Sequence, residues 1–108
     1  MDIDARYYQL KLSSPQDALD VVSCIIENQL PGLIFEMEDI SPDFFCFSNG
    51  IAGDILQKFT NYHARIGIVL PKNHNLGVRV TELAAEHKSH SNVRFFSSRS
   101  ESAEWLVK

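Results

Sequence analysis

The sequence has 108 residues, of which 44% are hydrophobic and 22% charged, and its formal net charge at pH 7 is -4. This length predicts one domain, residues 1–108, with enough apolar residues for a core. The ten Lys and Arg residues are scattered along an acidic chain, which argues against a nucleic-acid partner held through phosphates. No apolar stretch approaches the ~20 residues of a membrane-spanning helix, so we expect no membrane partner.

The N-terminus and the cysteines indicate a cytoplasmic protein. The opening stretch "MDIDARYYQL" is acidic and lacks the apolar segment of a secretory signal. The sequence contains two cysteines, Cys24 and Cys46. Without a secretory signal we expect both to remain reduced thiols in the cytoplasm.

The first predicted element is a strand, "RYYQLKL" at residues 6–12. Tyr8, Leu10 and Leu12 alternate with polar residues, which is the period of a half-exposed strand. A helix is predicted to follow, beginning at Pro15, because a serine that can cap the helix precedes this proline. A Pro-Gly pair ends its apolar stripe.

The middle of the chain predicts strand, loop, helix and strand in turn. Residues 33–37, "LIFEM", form a short apolar strand, and a proline makes residues 40–45 a loop. From Gly50 the apolar residues recur at helical spacing as far as Asn61. Residues 65–70, "RIGIVL", are almost continuously apolar, which is typical of a central strand covered on both faces.

The last third predicts helix, strand and helix. Asn75 is placed to cap the first of these helices. Residues 93–96, "VRFF", form a strand. Ser98 and Glu101 then have the spacing of a capping box, which predicts a final helix.

The predicted order of elements is β-α-β-α-β-α-β-α. This alternation favours an α/β fold with a mostly parallel sheet packed with helices. We expect residues 33–37, 65–70 and 93–96 to be parallel strands. The N-terminal strand would make the sheet four-stranded and mixed. An outer edge of this sheet would be exposed, which favours a homodimer.

Polar residues follow the strand at 33–37 and define a candidate site. Ligands of open α/β sheets bind outside the carboxyl ends of the strands. The residues that could form a switch or a ligand site there are Asp39, Asp43, Ser48, Asn49 and Gly50. The simpler interpretation is structural, with solvated carboxylates and with Ser48 or Asn49 capping the helix that follows.

Other chemistries have weaker support in the sequence. Gly50 and Gly53 have the spacing of a phosphate-clamping loop, but an aspartate follows the second glycine, so we predict a tight turn and close helix packing instead. His87 and His90 could share a helix face and bind zinc, yet they lie at a polar helix end where histidines are usually solvated. We therefore predict no metal, no cofactor and no assigned catalytic residue.

Four segments resemble a known bacterial family. "QDALDVV", "SPDFF", "GIAGDILQKFTNYHARIGIV" and "VRFFSSRSESAEWL" are similar, in order and spacing, to domain of unknown function 4180 over about residues 15–107. The resemblance implies no established activity. That family usually opens with two strands, whereas this chain has sequence for one. Cys46 and Asn49 also replace an acidic and a hydroxyl residue of the family.

The layout also resembles, more remotely, the STAS domains of sulfate transporters and anti-sigma-factor antagonists. Ser48 falls where those domains carry a serine that a partner kinase phosphorylates, and Phe47 replaces the aspartate that precedes it there. The resemblance implies a STAS-like domain with a phosphorylation switch at Ser48. A phosphate at a helix start would add about -1.5 to -2 charge and change partner binding.

Two functional classes therefore stay open. One is a non-enzymatic interaction or regulatory module that binds a protein partner through the surface of residues 41–54. The alternative is a small-molecule binder or enzyme with a pocket at the carboxyl ends of the strands. The sequence favours the first, because no acid–base pair, activated nucleophile or metal set can be assembled from it.

Overall fold

The computed structural model describes residues 3–46 and 50–107. Helices and strands alternate along this part of the chain. In order they are α1 (Pro15–Glu27), β1 (Leu33–Glu36), α2 (Ile51–Asn61), β2 (Ile66–Val69), α3 (Val78–Glu86), β3 (Val93–Phe96) and α4 (Arg99–Leu106). Within the described residues three strands form one parallel sheet in the order β1-β2-β3. The predicted α/β fold is confirmed, and so is the parallel direction of these three strands.

The predicted strand at residues 6–12 is wrong, so the four-stranded, mixed STAS-like sheet is wrong as well. A 3-10 turn occupies Ala5–Tyr8 instead. Asp4 caps this turn, because its Oδ1 accepts a hydrogen bond from the Arg6 amide at 3.0 Å. Gln9 ends the turn in the left-handed conformation, with φ of 58°. Because the turn forms its hydrogen bonds within itself, the N-terminal segment pairs only through two isolated bridges, from Asp4 to Ile34 in β1 and from Leu12 to Ile40.

Two hydrophobic layers of different size cover the sheet. The larger one packs α1, α2 and α3 on one face, where Leu33, Phe35, Ile66, Ile68 and Val93 are buried. The smaller one packs α4 on the other face around Ile34, Val69 and Leu106. Because both faces are covered, all four residues of β2 are buried, as its apolar sequence predicted.

Local capping residues set several of the helix boundaries. Ser14 and Ser98 cap α1 and α4, each accepting a hydrogen bond at 3.4 Å from the amide three residues further on. Both caps were predicted and are confirmed. The predicted cap Asn75 is wrong, because α3 begins later and Gly77 occupies its N-cap position. None of the helices in the described ranges combines the length and the apolar character needed to cross a membrane.

Candidate functional site

Asp39 lies just beyond the carboxyl end of β1 and is paired with Arg6. The Arg6 Nε lies 2.8 Å and 3.1 Å from the two Asp39 oxygens, and Nη2 lies 3.3 Å from Glu38. The Asp39 side chain is only 13% exposed. The hydrogen bond and charge of Asp39, with the charge of Glu38, raise the pKa of Arg6. The Asp39 carboxylate therefore ties the N-terminal segment to the end of β1.

A wider network of charges surrounds this end of β1. Arg99 Nη1 lies 3.1 Å from an Asp4 carboxylate oxygen. Burial raises the pKa of Glu36, the last residue of β1, and the charge of Glu38 adds to this increase. Arg6 and Arg99 act on the same pKa in the opposite direction. The acidic side chains at this strand end thus repel one another, and the charges of Arg6 and Arg99 offset part of this repulsion.

Asp43 and Gly50 lie on exposed turns beside α2. Asp43 belongs to the 3-10 turn Pro42–Phe45, whose first turn is capped by Ser41 Oγ, 3.2 Å from the Asp43 amide. Gly50 is the N-cap of α2 and has a left-handed φ of 76°, so the predicted turn at this glycine is confirmed. The predicted packing role of Gly53 is wrong, because a methyl group there would have no neighbour within 4 Å.

Ser48 and Asn49 lie outside the described residues. The switch and the helix cap assigned to them therefore stay predictions. Gly50, Asp43 and Asp39 are placed by the structure, and Asp39 forms an ion pair with Arg6. Asp43 and Gly50 lie on turns that precede α2 in the chain.

His87 and His90 form part of the connection between α3 and β3. Their ring centres are 4.9 Å apart, and His87 also lies edge-on to Phe95 at 5.9 Å. His87 Nδ1 is 3.0 Å from the Leu83 carbonyl oxygen, while His90 Nδ1 accepts hydrogen bonds from two backbone amides. No group of three or more potential metal ligands occurs in the described part of the chain. Through these contacts, both rings hydrogen-bond to the backbone of α3 and of the connection to β3.

A cavity of about 290 Å³ lies at the carboxyl edge of β2 and β3. The loop after β2, one face of α3 and the end of β3 line it, and it is open to solvent. Its lining residues are Leu70, Pro71, Lys72, His74, Thr81, Ala84, Phe95, Phe96 and Ser97. A ligand pocket at the carboxyl ends of the strands was the alternative function that the sequence left open, but Asp39, Asp43 and Gly50, the predicted site residues that the structure describes, do not line this cavity.

The lining combines an apolar wall with a few polar groups. Leu70 is buried, Ala84 and Phe95 are half-buried, and Lys72 is exposed at the rim. His74 is held in place because its Nδ1 accepts a hydrogen bond from the Leu76 amide at 3.2 Å. Apolar walls with few polar groups are typical of small-molecule sites.

Comparison with known proteins places the chain in a family. The family model described as a domain of unknown function (DUF4180) matches residues 4–106. The chain belongs to the DUF4180 family. This confirms the resemblance found in the sequence, whereas the relationship to STAS domains is not confirmed. No curated protein matches this DUF4180 domain, and no solved structure matches it.

Sequence reasoning missed the cavity of this DUF4180 domain for a specific reason. It searched for carboxylates beyond a strand end and found them after β1, where the structure pairs Asp39 with Arg6. The available signal was the polar stretch "KNHN", which follows the central strand after Pro71. The loop after a central parallel strand is a place where ligands bind in open α/β sheets.

Proposed function

We propose that this DUF4180 domain binds a small molecule in the cavity at the carboxyl edge of β2 and β3. The observation that carries the proposal is the cavity itself, about 290 Å³, at the edge where open α/β sheets bind ligands. Ligand pockets usually have about 300–1,000 Å³, so this volume suits a small metabolite. Cys24 and Cys46 are not joined in a disulfide, which suits a cytoplasmic site of action.

The proposal is for binding and not for catalysis. His74 is the imidazole of the lining, and among the residues that the structure describes no carboxylate or thiol lines the cavity beside it. General acid–base and nucleophilic catalysis need such a partner within hydrogen-bond reach. The lining therefore favours recognition and release of an unchanged ligand.

A matched pair of variants on α3 tests the proposal. Ala84 lines the cavity and Ala85, its neighbour, is exposed on the same helix. Ala84→Phe fills the cavity, so fragments that shift the amide NMR signals of the lining residues should lose binding. Ala85→Phe should leave those shifts unchanged. The proposal fails if no fragment of a screening library shifts the lining residues, or if binding survives Ala84→Phe.

A second candidate function is a partner-binding module that uses the surface of residues 41–54. The observation in its favour is the exposed first turn of α2, where Gly50, Gly53 and Asp54 are all accessible. A partner kinase acting on Ser48 would add negative charge beside this turn. A pull-down with Ser48→Ala and Ser48→Asp tests the module. Different capture by the two variants supports it, and equal capture contradicts the switch.

A further inference from the structure

Two hydrogen-bond donors of the cavity lining have no acceptor among the described residues. The Lys72 ammonium makes no hydrogen bond or ion pair with that part of the chain. His74 Nδ1 already accepts from the Leu76 amide, so in the neutral ring the proton is on Nε2. Nε2 is therefore a donor, and the cavity has one cationic and one neutral donor to offer a ligand.

The hydroxyl groups of the lining are already committed to neighbours. Thr81 Oγ1 donates to the Gly77 carbonyl oxygen at 3.4 Å. Ser97 Oγ donates to Glu101 Oε1 at 3.2 Å. Glu101 is the carboxylate in contact with the lining, and it also accepts a hydrogen bond from Ser98 at 3.0 Å. Among the described side chains of the lining, the donors without an acceptor are thus those of Lys72 and His74.

The opposite side of the cavity is apolar. Leu70 and Phe95 belong to the lining and to the hydrophobic core on the face of the sheet that α3 covers, and Ala84 lines the cavity from α3 itself. Phe95 is fixed there by its edge-on contact with His87. Because Ala84 has a small side chain, the space between α3 and Phe95 is left to a ligand. This wall can bury an apolar group but offers it no hydrogen bond.

We propose that the ligand is a small organic acid, with its carboxylate at Lys72 and His74 and its apolar body against Leu70, Ala84 and Phe95. This inference rests on the proposed function and names its ligand class. A cationic donor and a neutral donor match the acceptor-only chemistry of a carboxylate. An inorganic anion such as phosphate would satisfy the donors and leave the apolar wall in contact with water. A neutral apolar molecule would leave the donors unused.

Benzoate, benzamide and inorganic phosphate separate these cases. Benzoate and benzamide have the same shape, and they differ in the charge of the group that would meet Lys72. We expect benzoate to shift the amide signals of residues 70–74 and 95–97, and to bind more tightly than either other probe. Dissociation constants come from the same NMR titrations at pH 7.

Variants at the two donors make the test specific. Lys72→Met should weaken benzoate binding by about threefold to tenfold, since it removes one charge-assisted contact at a partly exposed site. Lys88→Met makes the same charge change at an exposed lysine outside the lining, and it should leave benzoate binding unchanged. His74→Asn keeps an acceptor for the Leu76 amide, but its shorter side chain cannot place a donor at the position of Nε2, so it should weaken benzoate binding as well.

The failures of the two proposals are distinguishable. If benzamide binds at the lining residues as tightly as benzoate, or if Lys72→Met has no effect, the organic-acid inference is wrong and a binding cavity is retained. Tighter binding of phosphate than of benzoate also overturns the organic-acid inference, because the apolar wall then contributes nothing. If none of the three probes and no library fragment shifts the lining residues, the small-molecule function is wrong too.

Discussion

At the scale of single residues, His90 joins the end of α3 to the start of β3. Its Nδ1 accepts hydrogen bonds from the amides of Asn92 at 3.0 Å and Val93 at 3.1 Å, and its carbonyl oxygen accepts one from Arg94 at 2.7 Å. Two amides that donate to one nitrogen require that nitrogen to be unprotonated. Burial lowers the pKa of His90, and the charges of His87 and Arg94 lower it further.

His90 should therefore make stability depend on pH. Its folded-state pKa is below the ordinary histidine value of 6.5, so the unfolded chain binds more protons as the pH falls past that value. The contribution is complete above pH 6.5 and is lost as the pH falls through the folded pKa. His90→Asn keeps an acceptor that does not titrate, and urea unfolding from pH 7.5 to 5 should show a shallower loss in this variant. An unchanged pH dependence would contradict this role.

His90→Leu complements that comparison at neutral pH. It leaves the amides of Asn92 and Val93 without their acceptor, which should cost about 1–3 kcal/mol of unfolding free energy. His90→Asn should cost less at the same pH, because its amide oxygen can occupy the position of Nδ1. Equal losses in the two variants would show that the ring contributes through packing.

Gly50 and Gly53, three residues apart at the start of α2, should respond to alanine in opposite directions. Gly50 has φ of 76°, a left-handed conformation that alanine adopts unfavourably. Gly50→Ala should therefore lower the free energy of unfolding by about 1 kcal/mol. Gly53 is exposed inside the helix with open space around it, so Gly53→Ala should stabilise by about 0.5–1 kcal/mol. Thermal unfolding of both variants measures this. A stabilising Gly50→Ala would be inconsistent with the turn.

At the scale of whole elements, the contact of α4 with β2 depends on one glycine. An alanine methyl group at Gly67 would lie 1.8 Å from Ser102 Oγ and 3.2 Å from Ser102 Cβ. Ser102 is fully buried, and its hydroxyl has no hydrogen-bond partner among the described residues. The helix therefore lies directly against the backbone of the central strand, which only glycine permits at this distance.

Substitutions at this contact should be strongly coupled. Gly67→Ala should cost more than about 2 kcal/mol of unfolding free energy, because α4 has to move away from the sheet. Ser102→Ala should be neutral or stabilise by up to about 1 kcal/mol, since it removes a buried hydroxyl without a partner. The double variant Gly67→Ala with Ser102→Gly should recover part of the loss in urea unfolding. Additive effects would show that the two residues do not meet.

At the scale of the whole molecule, the two edges of the sheet differ. The outer side of β1 is partly covered by the N-terminal segment, because the Ile34 amide donates to the Ile3 carbonyl oxygen at 2.7 Å. β3 pairs with β2 on one side, and in the described residues no strand pairs with its other side. An open edge of this kind can pair with another chain.

We therefore expect a homodimer in which β3 of one chain pairs with β3 of a second copy. A twofold axis would make the two β3 strands antiparallel. Sedimentation equilibrium over a range of protein concentrations should then approach twice the 12.2 kDa of one chain. A mass of one chain at every concentration would contradict this expectation and leave the cavity proposal unaffected, since the cavity is lined within one chain.

The sequence by itself determined the features that depend on neighbouring residues. The strand at 93–96 and the helix caps Ser14 and Ser98 agree with the structure, because hydrophobic periodicity and capping act within a few positions of the chain. The parallel direction of the three strands also followed, since helices separate them in the sequence.

Only the tertiary structure decided what the N-terminal segment does and which residues form the cavity. Arg6 reaches Asp39 across 33 positions, and this pairing occupies an expected ligand group and ties down a segment that forms a 3-10 turn and not the expected strand. The cavity combines Lys72 and His74 with Ala84 from a helix and Phe95 from a strand. Such residues meet because the packing of α3 on β3 brings them together, and this long-range contact leaves no periodic signal in the sequence.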